Sequence, residues 1–573
     1  MIRDKILEKL QEALVRVGVT EEKVELERPA NPDFGDYSTS IALKVSKTLK
    51  RNPIEVALEI KKNTADNNLI EKIDVIKPGF INFWVSQQTL LERLHSILKS
   101  TDSYGRSQLF AGENVMVEYT DPNPFKEFHI GHLYSNIVGE SLVRLHEAVG
   151  ANVKRANYQG DVGMHVAKSI WGMQRKMHDE NISLEDLQRK HLQERVRFMG
   201  EAYAFGTQQY EKDETVQEET KLLNKKIYAL DSEIQELYQK GRQWSLEYFE
   251  TIYKRLGTSF DYYFFEREVG ERGLQIVKKH ADLFEQSDGA TIFRGEKYGL
   301  HTRVFINSLG LPTYEAKDLA LAPMKHEQFP YDISIVVTGN EINEYFQVVL
   351  KVLEFLNPEL RKKTKHISHG MVRLPEGKMS SRKGNIITGE SLLNETKLRL
   401  KNIIEKSNKI SPEDIDTVSE KVSIAAVKYS LLKSSIGKDV IFDFDESLAF
   451  EGNSGPYLQY TYARCRSVLR NAGDAGIQTS LSQGNIGSEE LLLTRTVIYF
   501  PEIVVEATQS LSPHLICNYL YSLAQRYNLF YQKYPILKAQ DKQRQLRLVI
   551  TNATAQILKN GLHLLGIEVV ERM

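Results

Sequence analysis

The sequence predicts a multidomain α/β protein: a doubly wound parallel-sheet unit with a helical insertion, preceded by a small α+β unit and followed by an all-helical one. Three observations predict it. At 573 residues the chain exceeds what one hydrophobic core organises, so three or four cooperating units are expected. From Asn114 onward, short apolar runs alternate with helical periodicity. After about Thr388 strand signals thin out and amphipathic helix dominates.

The first unit is read as residues 1–99. Ile2, Ile6, Leu10, Leu14 and Val15 recur at helical spacing, Pro29 to Gly35 punctuates the chain, and Gly79 to Val85 reads as extended. Residues 100–112 are polar and Gly-bearing, a linker into a central unit taken as 100–388. There Val115 to Tyr119 is a short apolar strand, His132 to Val149 a helix stopped by Gly150, and Val153 to Tyr158 the next strand. Asp332 to Thr338 adds another buried strand, for which a parallel sheet is the economical reading. At about 171–256 lies a charged helical insertion. Its seam of Leu223, Ile227, Leu230, Ile234 and Leu237 is too short for a coiled coil and predicts an antiparallel helix pair packed on the sheet unit. Residues 389–573 form the helical unit, interrupted at Asn453 to Pro456.

Bulk composition excludes several classes. With 75 Lys plus Arg against 76 Asp plus Glu, the net charge is -1, so any contact with nucleic acid must come from local patches. The two cysteines, Cys465 and Cys517, are far apart and build neither a disulfide framework nor a structural zinc site; no metal ligand is assigned. The N-terminal helix carries both signs of charge and does not read as a signal peptide. No apolar run approaches twenty residues, so no membrane span is expected and a cytoplasmic monomer is the default.

The sharpest chemical signal is Asp121-Pro-Asn-Pro-Phe-Lys-Glu-Phe-His-Ile-Gly-His132, directly after the first sheet strand and at the start of a helix. Ligands of open α/β sheets bind at strand C-termini, where helix N-termini offer free N–H groups to phosphates. His129 and His132, one turn apart, can face one phosphate. Gly131 lets a flat base or ribose approach the backbone, and Lys126 adds a mobile cation. A bare His-x-Gly-His is equally a helix cap; a second segment decides. Gly377-Lys-Met-Ser-Ser-Arg-Lys-Gly-Asn385 is dense in cations and hydroxyls between glycines.

Together the two segments resemble the HIGH and KMSKS signatures of class I aminoacyl-tRNA synthetases. The resemblance implies that His129 and His132 hold the phosphates of ATP, Gly131 admits the adenosine, and Met371 contacts adenine by its backbone. Lys378 would steady the pyrophosphate within an ATP site that includes Ser380, Ser381 and Arg382, with Mg2+ bridging the phosphates. In-line attack on the α-phosphate needs orientation and relief of negative charge, which such residues supply. Ser381 stands where the signature has its second lysine. Lys126, Arg382 and Lys383 are the cations that could replace it.

A guanidinium is best recognised by carboxylates in a fork geometry with polar or aromatic neighbours. Glu118, Asn123, Tyr314 and Asp318 match the residues that line the arginine pocket of arginyl-tRNA synthetases. Glu341-Ile342-Asn343 departs from that family's glutamine, and Tyr158 replaces the histidine of its Asn-His-x-Gly-Asp-x-Gly segment. The flanks are similar to the same family. Phe34-Gly-Asp-Tyr37 and Pro78 to Phe83 look like its tRNA-elbow domain, with Asn82 the expected contact. Gly455 to Arg464 looks like the start of its anticodon domain, where Tyr521, Tyr527 and Tyr531 beside Arg526 are expected to stack on unpaired bases.

The resemblance therefore implies ligation of L-arginine to tRNA(Arg) with ATP, and arginine activation that requires bound tRNA. Two other readings compete. A small nucleotidyltransferase shares the His-x-Gly-His site but needs no helical C-terminal domain. A non-catalytic RNA-binding relative is expected to have lost one of Lys126, His129, His132 or Lys378, and all four are present.

Overall fold

The computed structural model describes residues 1–64, 68–375, 388–407, 410–473 and 486–573. Its centre is a five-stranded sheet. The strands are β1 (Asn114–Glu118), β2 (Asn152–Gln159), β3 (Tyr262–Phe265), β4 (Ile333–Gly339) and β5 (Thr364–His369), all parallel in the order β5-β4-β1-β2-β3. Alternation along β1 explains why a run without polar residues is stable there. Val115 and Val117 face one hydrophobic core and Met116 the other, so both faces of the strand are covered.

From β1 the chain passes through helix α1 (Ile130–Ala148) to β2, while β4 lies on the other flank of β1. That reversal creates a crevice at the C-terminal ends of β1 and β4. Three more helices matter for it: α2 (Ser232–Leu256), α3 (Tyr314–Gln328) and α4 (Asn343–Leu356). Between β3 and α3 a small antiparallel sheet spans Glu285–Ser287, Ala290–Phe293 and Arg303–Ile306.

The insertion has more helices than the expected pair. Met164–Asp179, Leu192–Lys212, Glu214–Ala229 and α2 are the long ones, with a short helix at Leu184–Arg189. The seam read across Leu223 to Leu237 does not run along one helix. Leu230 ends a helix in the left-handed region at φ 54°, and Asp231 caps the next by accepting from the Glu233 N–H at 2.9 Å. Leu223 and Ile227 therefore lie on one helix and Ile234 on another.

The N-terminal unit has its own core of Ile6, Leu10, Leu14, Val45, Ile60 and Phe83 around an antiparallel sheet of Tyr37–Thr39, Phe80–Val85 and Ile70–Ile76. It docks on the helical unit through Ile498, which joins this core, and through polar bonds: Tyr37 donates to Glu502 at 2.6 Å, and Arg495 pairs with Asp36 at 3.1 Å. The central and helical units share a larger continuous core. Inside that joint the buried Lys428 donates to the carbonyls of Leu256 and Gly566, each at 2.6 Å, closing the ends of two helices. Burial, with Arg144 nearby, lowers its pKa to about 7. No helix among the described residues is long and apolar enough to cross a membrane, and both cysteines are buried and unpaired.

Candidate active site

The segment joining β1 to α1 is held in an unusual conformation. Thr120, Asp121 and Phe125 have φ of 81°, 46° and 68°, which side-chain-bearing residues rarely adopt. Surrounding groups hold each turn. The Thr120 N–H donates to Ser135 at 3.0 Å, the Tyr158 N–H to Asp121 at 2.8 Å, and the Phe125 N–H to Ser245 of α2 at 2.9 Å. The insertion thus forms one wall of the site. Phe125 also packs on Gly241 of α2, where a Cβ would stand 2.2 Å from the ring.

His129 caps α1: its Nδ1 accepts from the His132 N–H at 3.3 Å, so the ring proton resides on Nε2 as an outward donor. The two imidazoles stack with centroids 3.4 Å apart. A Cβ on Gly131 would stand 3.0 Å from the His129 ring, so glycine there leaves room for the stack. Burial first, and Lys126 second, lower the His129 pKa to about 4; burial and His129 itself depress His132. Both rings are neutral at pH 7 and offer N–H donors, not charge. The Lys126 ammonium lies 4.8 Å from the Tyr203 ring centroid.

Lys378, Ser380, Ser381 and Arg382, with Lys383, lie outside the described residues. The chain just after them is fixed beside the histidines: Thr388 bridges His129, and the Gly389 N–H donates to the Phe128 carbonyl at 2.7 Å. On the other side, His369 at the end of β5 packs on Tyr134 of α1 at 4.4 Å between centroids. Met371 corrects one expectation. Its N–H donates to Asp439 at 2.8 Å and its carbonyl accepts from Val440 at 2.8 Å, so the backbone is already engaged. What it presents outward is a side chain in a residue 47% exposed.

The acids gather on the other side of the crevice. Glu118 is buried at the end of β1, and Lys325 of α3, 207 residues away, donates to its Oε2. Burial opposes the Lys325 charge, but Glu118, Tyr331 and Asp121 together hold the ammonium above its ordinary range. A second buried pair, Lys317 with Glu266 at 2.5 Å, lies beside it. Asp318 accepts from the Tyr345 hydroxyl of α4, and burial pushes its carboxyl up to about 8. Asp121 is raised by burial and then by Glu118. Asn123 fits against Gly160, where a Cβ would stand 2.2 Å from its Oδ1, and Tyr314 stands at the rim, 52% exposed. Lys325, Lys317, Glu266 and Tyr345 join the site without having been expected from the sequence. Lys325 was legible in principle, since a lysine seven residues after Asp318 on an apolar helix shares its face. Tyr345 carried no such signal.

In the helical unit Tyr457, Tyr460 and Tyr531 surround Arg464, whose guanidinium lies 4.7 Å from the Tyr460 centroid and 5.1 Å from that of Tyr531, itself 41% exposed. Cavities of about 630 and 540 Å³ open on either side of Arg464. Tyr521 meets Tyr457 edge-on at 5.9 Å. Tyr527 corrects its expectation: at 0% exposure it belongs to the buried stripe Leu520, Leu523, Tyr527 and Phe530 and presents no face to a base. Asn82 does likewise. It is 3% exposed and accepts from the Ser38 hydroxyl at 2.7 Å within the sheet, so in this structure it is a core contact. Asp36 and Tyr37 of the neighbouring motif face the helical unit.

A doubly wound sheet whose switch point holds a histidine-capped helix, with a helical domain sharing its core, defines a class I aminoacyl-tRNA synthetase. A model described as "tRNA synthetases class I (R), catalytic domain" matches residues 93–444. The flanks match "Arginyl tRNA synthetase N terminal domain" at 1–85 and "DALR anticodon binding domain" at 458–573. The arginine–tRNA ligase of Clostridium acetobutylicum is 33% identical over 554 residues, 96% of each chain. That of Fusobacterium nucleatum is 32% identical over 560 residues, covering 96% of this chain and 95% of its own. The solved arginyl-tRNA synthetase of Thermus thermophilus superposes over 100% of both chains with a TM-score of 0.82 at 25% identity. The chain belongs to the arginyl-tRNA synthetase family. It binds ATP, arginine and tRNA(Arg), and ligates the amino acid to the tRNA through arginyl-adenylate. The nucleotidyltransferase and non-catalytic readings are set aside.

Proposed function

We propose how this activity is divided among the residues. ATP lies across the N-terminus of α1, where neutral His129 and His132 donate N–H groups to its phosphates and Lys126 answers developing charge at the α-phosphate. Gly131 leaves room for the adenosine, the Met371 side chain packs on the base, and Lys378, Ser380, Ser381 and Arg382 supply the charge and hydroxyls that answer the leaving pyrophosphate. Among the described residues no group of three or more His, Cys, Asp or Glu could cage a metal. Mg2+ on this reading enters bound to ATP as part of the substrate, as suits an ion that keeps its waters and binds phosphate.

Arginine occupies the acidic side. Glu118 keeps Oε1 for the guanidinium while Lys325 holds Oε2, Asp318 supplies the second carboxylate, Asn123 orients the amino acid and Tyr314 closes the rim. The observation that carries the reading is that one short segment joins the two sides: Glu118, paired with Lys325, ends β1, and Asn123, Lys126 and the helix-capping His129 follow on the loop from β1 into α1. The elbow of tRNA rests on the N-terminal unit, through exposed Phe34 and Phe80 in place of Asn82, and the anticodon on Tyr460, Tyr531 and Tyr521 around Arg464. On this reading the enzyme works as a monomer in the cytoplasm.

The test is steady-state charging by Glu118→Gln and His129→Ala. The first should raise KM for arginine and leave KM for ATP near the parent value; the second should lower kcat. The opposite pattern would exchange the two ends. Pyrophosphate exchange without tRNA should be negligible, and vigorous exchange would contradict tRNA-dependent activation.

A further inference from the structure

The acids of the pocket are not equivalent. Glu118 of β1 has Lys325, and Glu266, which begins the helix Glu266–Lys279, has Lys317. Asp318, between Tyr314 and the C-terminal half of α3, has no ion-pair partner among the described residues. Its bond is to the Tyr345 hydroxyl, which reaches Oδ2 from α4. Asp318 is surrounded by Glu118 and its lysine from β1 and α3, and by Glu266 and its lysine. Asp121 comes from the loop after β1, Tyr158 from β2, and Tyr314 and Glu315 from its own helix. The Tyr158 hydroxyl is buried and has no hydrogen-bond partner among the described residues. A carboxylate so placed can turn about its Cβ–Cγ bond, and each orientation would present a different oxygen to the substrate.

We propose that Tyr345 is a positioning residue for arginine selection: by donating to Oδ2 of Asp318 it fixes the plane of the carboxylate and leaves Oδ1 for the guanidinium. This rests on the reading that Asp318 lies in the arginine pocket. A neutral hydroxyl suits the task better than a lysine would. An ammonium at this position would satisfy the carboxylate charge before arginine arrived, whereas a phenol orients the group and leaves its charge to be answered by the substrate. Buried pairs already answer the charge of Glu118 and Glu266, and Asp121 is engaged by the Tyr158 N–H at 2.8 Å. Asp318 is therefore the carboxylate whose ionisation is tied to substrate entry, and the Tyr345 donation works toward the ionised form.

Calorimetric titration of the full chain with L-arginine between pH 6.5 and 9.0 tests this, comparing the parent with Tyr345→Phe and Asp318→Asn. Tyr345→Phe should weaken binding about tenfold at pH 7, with the loss shrinking as pH rises, because Asp318 now ionises at higher pH. MgATP affinity should stay at the parent value, showing an intact fold. A Tyr345→Phe curve superposable on the parent, or one displaced by the same factor at every pH, overturns the proposal. If Asp318→Asn itself binds arginine like the parent, the pocket reading fails instead. Should Tyr345→Phe not fold, the series is read on Tyr345→His, which retains a ring donor: affinity and pH profile nearer the parent than Asp318→Asn support the proposal, and coincidence with Asp318→Asn overturns it.

Discussion

At the nucleotide end burial lowers the His129 pKa to about 4, and at the amino-acid end burial pushes Asp318 up to about 8. One physical cause thus discharges a base on one side of β1 and an acid on the other. The difference lies in what answers it. The histidines meet a ligand that brings its own negative charge, so neutral N–H donors with one lysine suffice. The acids meet a cation and are numerous enough to repel one another, so Lys325 and Lys317 are built in beneath them. The two ends also give stability opposite slopes with pH. Between about 4 and 6.5 the unfolded chain binds the His129 proton and the native one does not, so stability rises with pH there. Between the ordinary aspartate value of 3.8 and about 8 the native Asp318 holds a proton that the unfolded chain has lost, so stability falls as pH rises.

The largest effect that would sharpen this contrast is expected from Lys325→Met. Leaving Glu118 buried and unpaired should cost about 3–5 kcal/mol of unfolding free energy, read by urea denaturation at pH 7. A loss under about 1 kcal/mol would show that Glu118 is not held by Lys325. Next, Asp318→Asn should lower kcat/KM for arginine about 10²–10³-fold at pH 8. It should also gain stability relative to the parent as pH rises from 6 to 9, by thermal denaturation. A constant difference would mean that Asp318 does not titrate there.

At the other end His129→Ala should lower kcat about 10²-fold while arginine KM changes little. The parent's kcat should show no step near pH 6.5, because neither imidazole titrates there. Smaller still is the contrast within the helical unit. Tyr460→Ala should weaken tRNA(Arg) binding by about 1–3 kcal/mol in filter binding at fixed salt, whereas Tyr527→Phe should leave it unchanged. A large effect from Tyr527→Phe would mean that its helix turns on binding tRNA.

Local pattern carried much of this arrangement. Val115 to Tyr119 announced a buried strand, and His129 with His132 announced the end of a helix at a switch point. Where the sequence misled, the missing information was tertiary. Tyr527 and Tyr531 are four residues apart in similar surroundings, and only the position of the core separates a stripe member from a rim residue. Asn82 sits in a motif that reads as a surface, yet Ser38 from another strand claims its side chain. Leu230 continues a hydrophobic seam in the text but ends a helix, since Asp231 caps the one that follows. Lys325 finds Glu118 across 207 residues, a pairing no local period encodes.

A structure with a non-hydrolysable arginyl-adenylate analogue tests the two-ended site most directly. The guanidinium should lie between Oδ1 of Asp318 and Oε1 of Glu118, with the phosphate-mimicking group at hydrogen-bond distance from Nε2 of His129. A guanidinium bound elsewhere, with Lys325 and Tyr345 still capping those acids, would contradict the account.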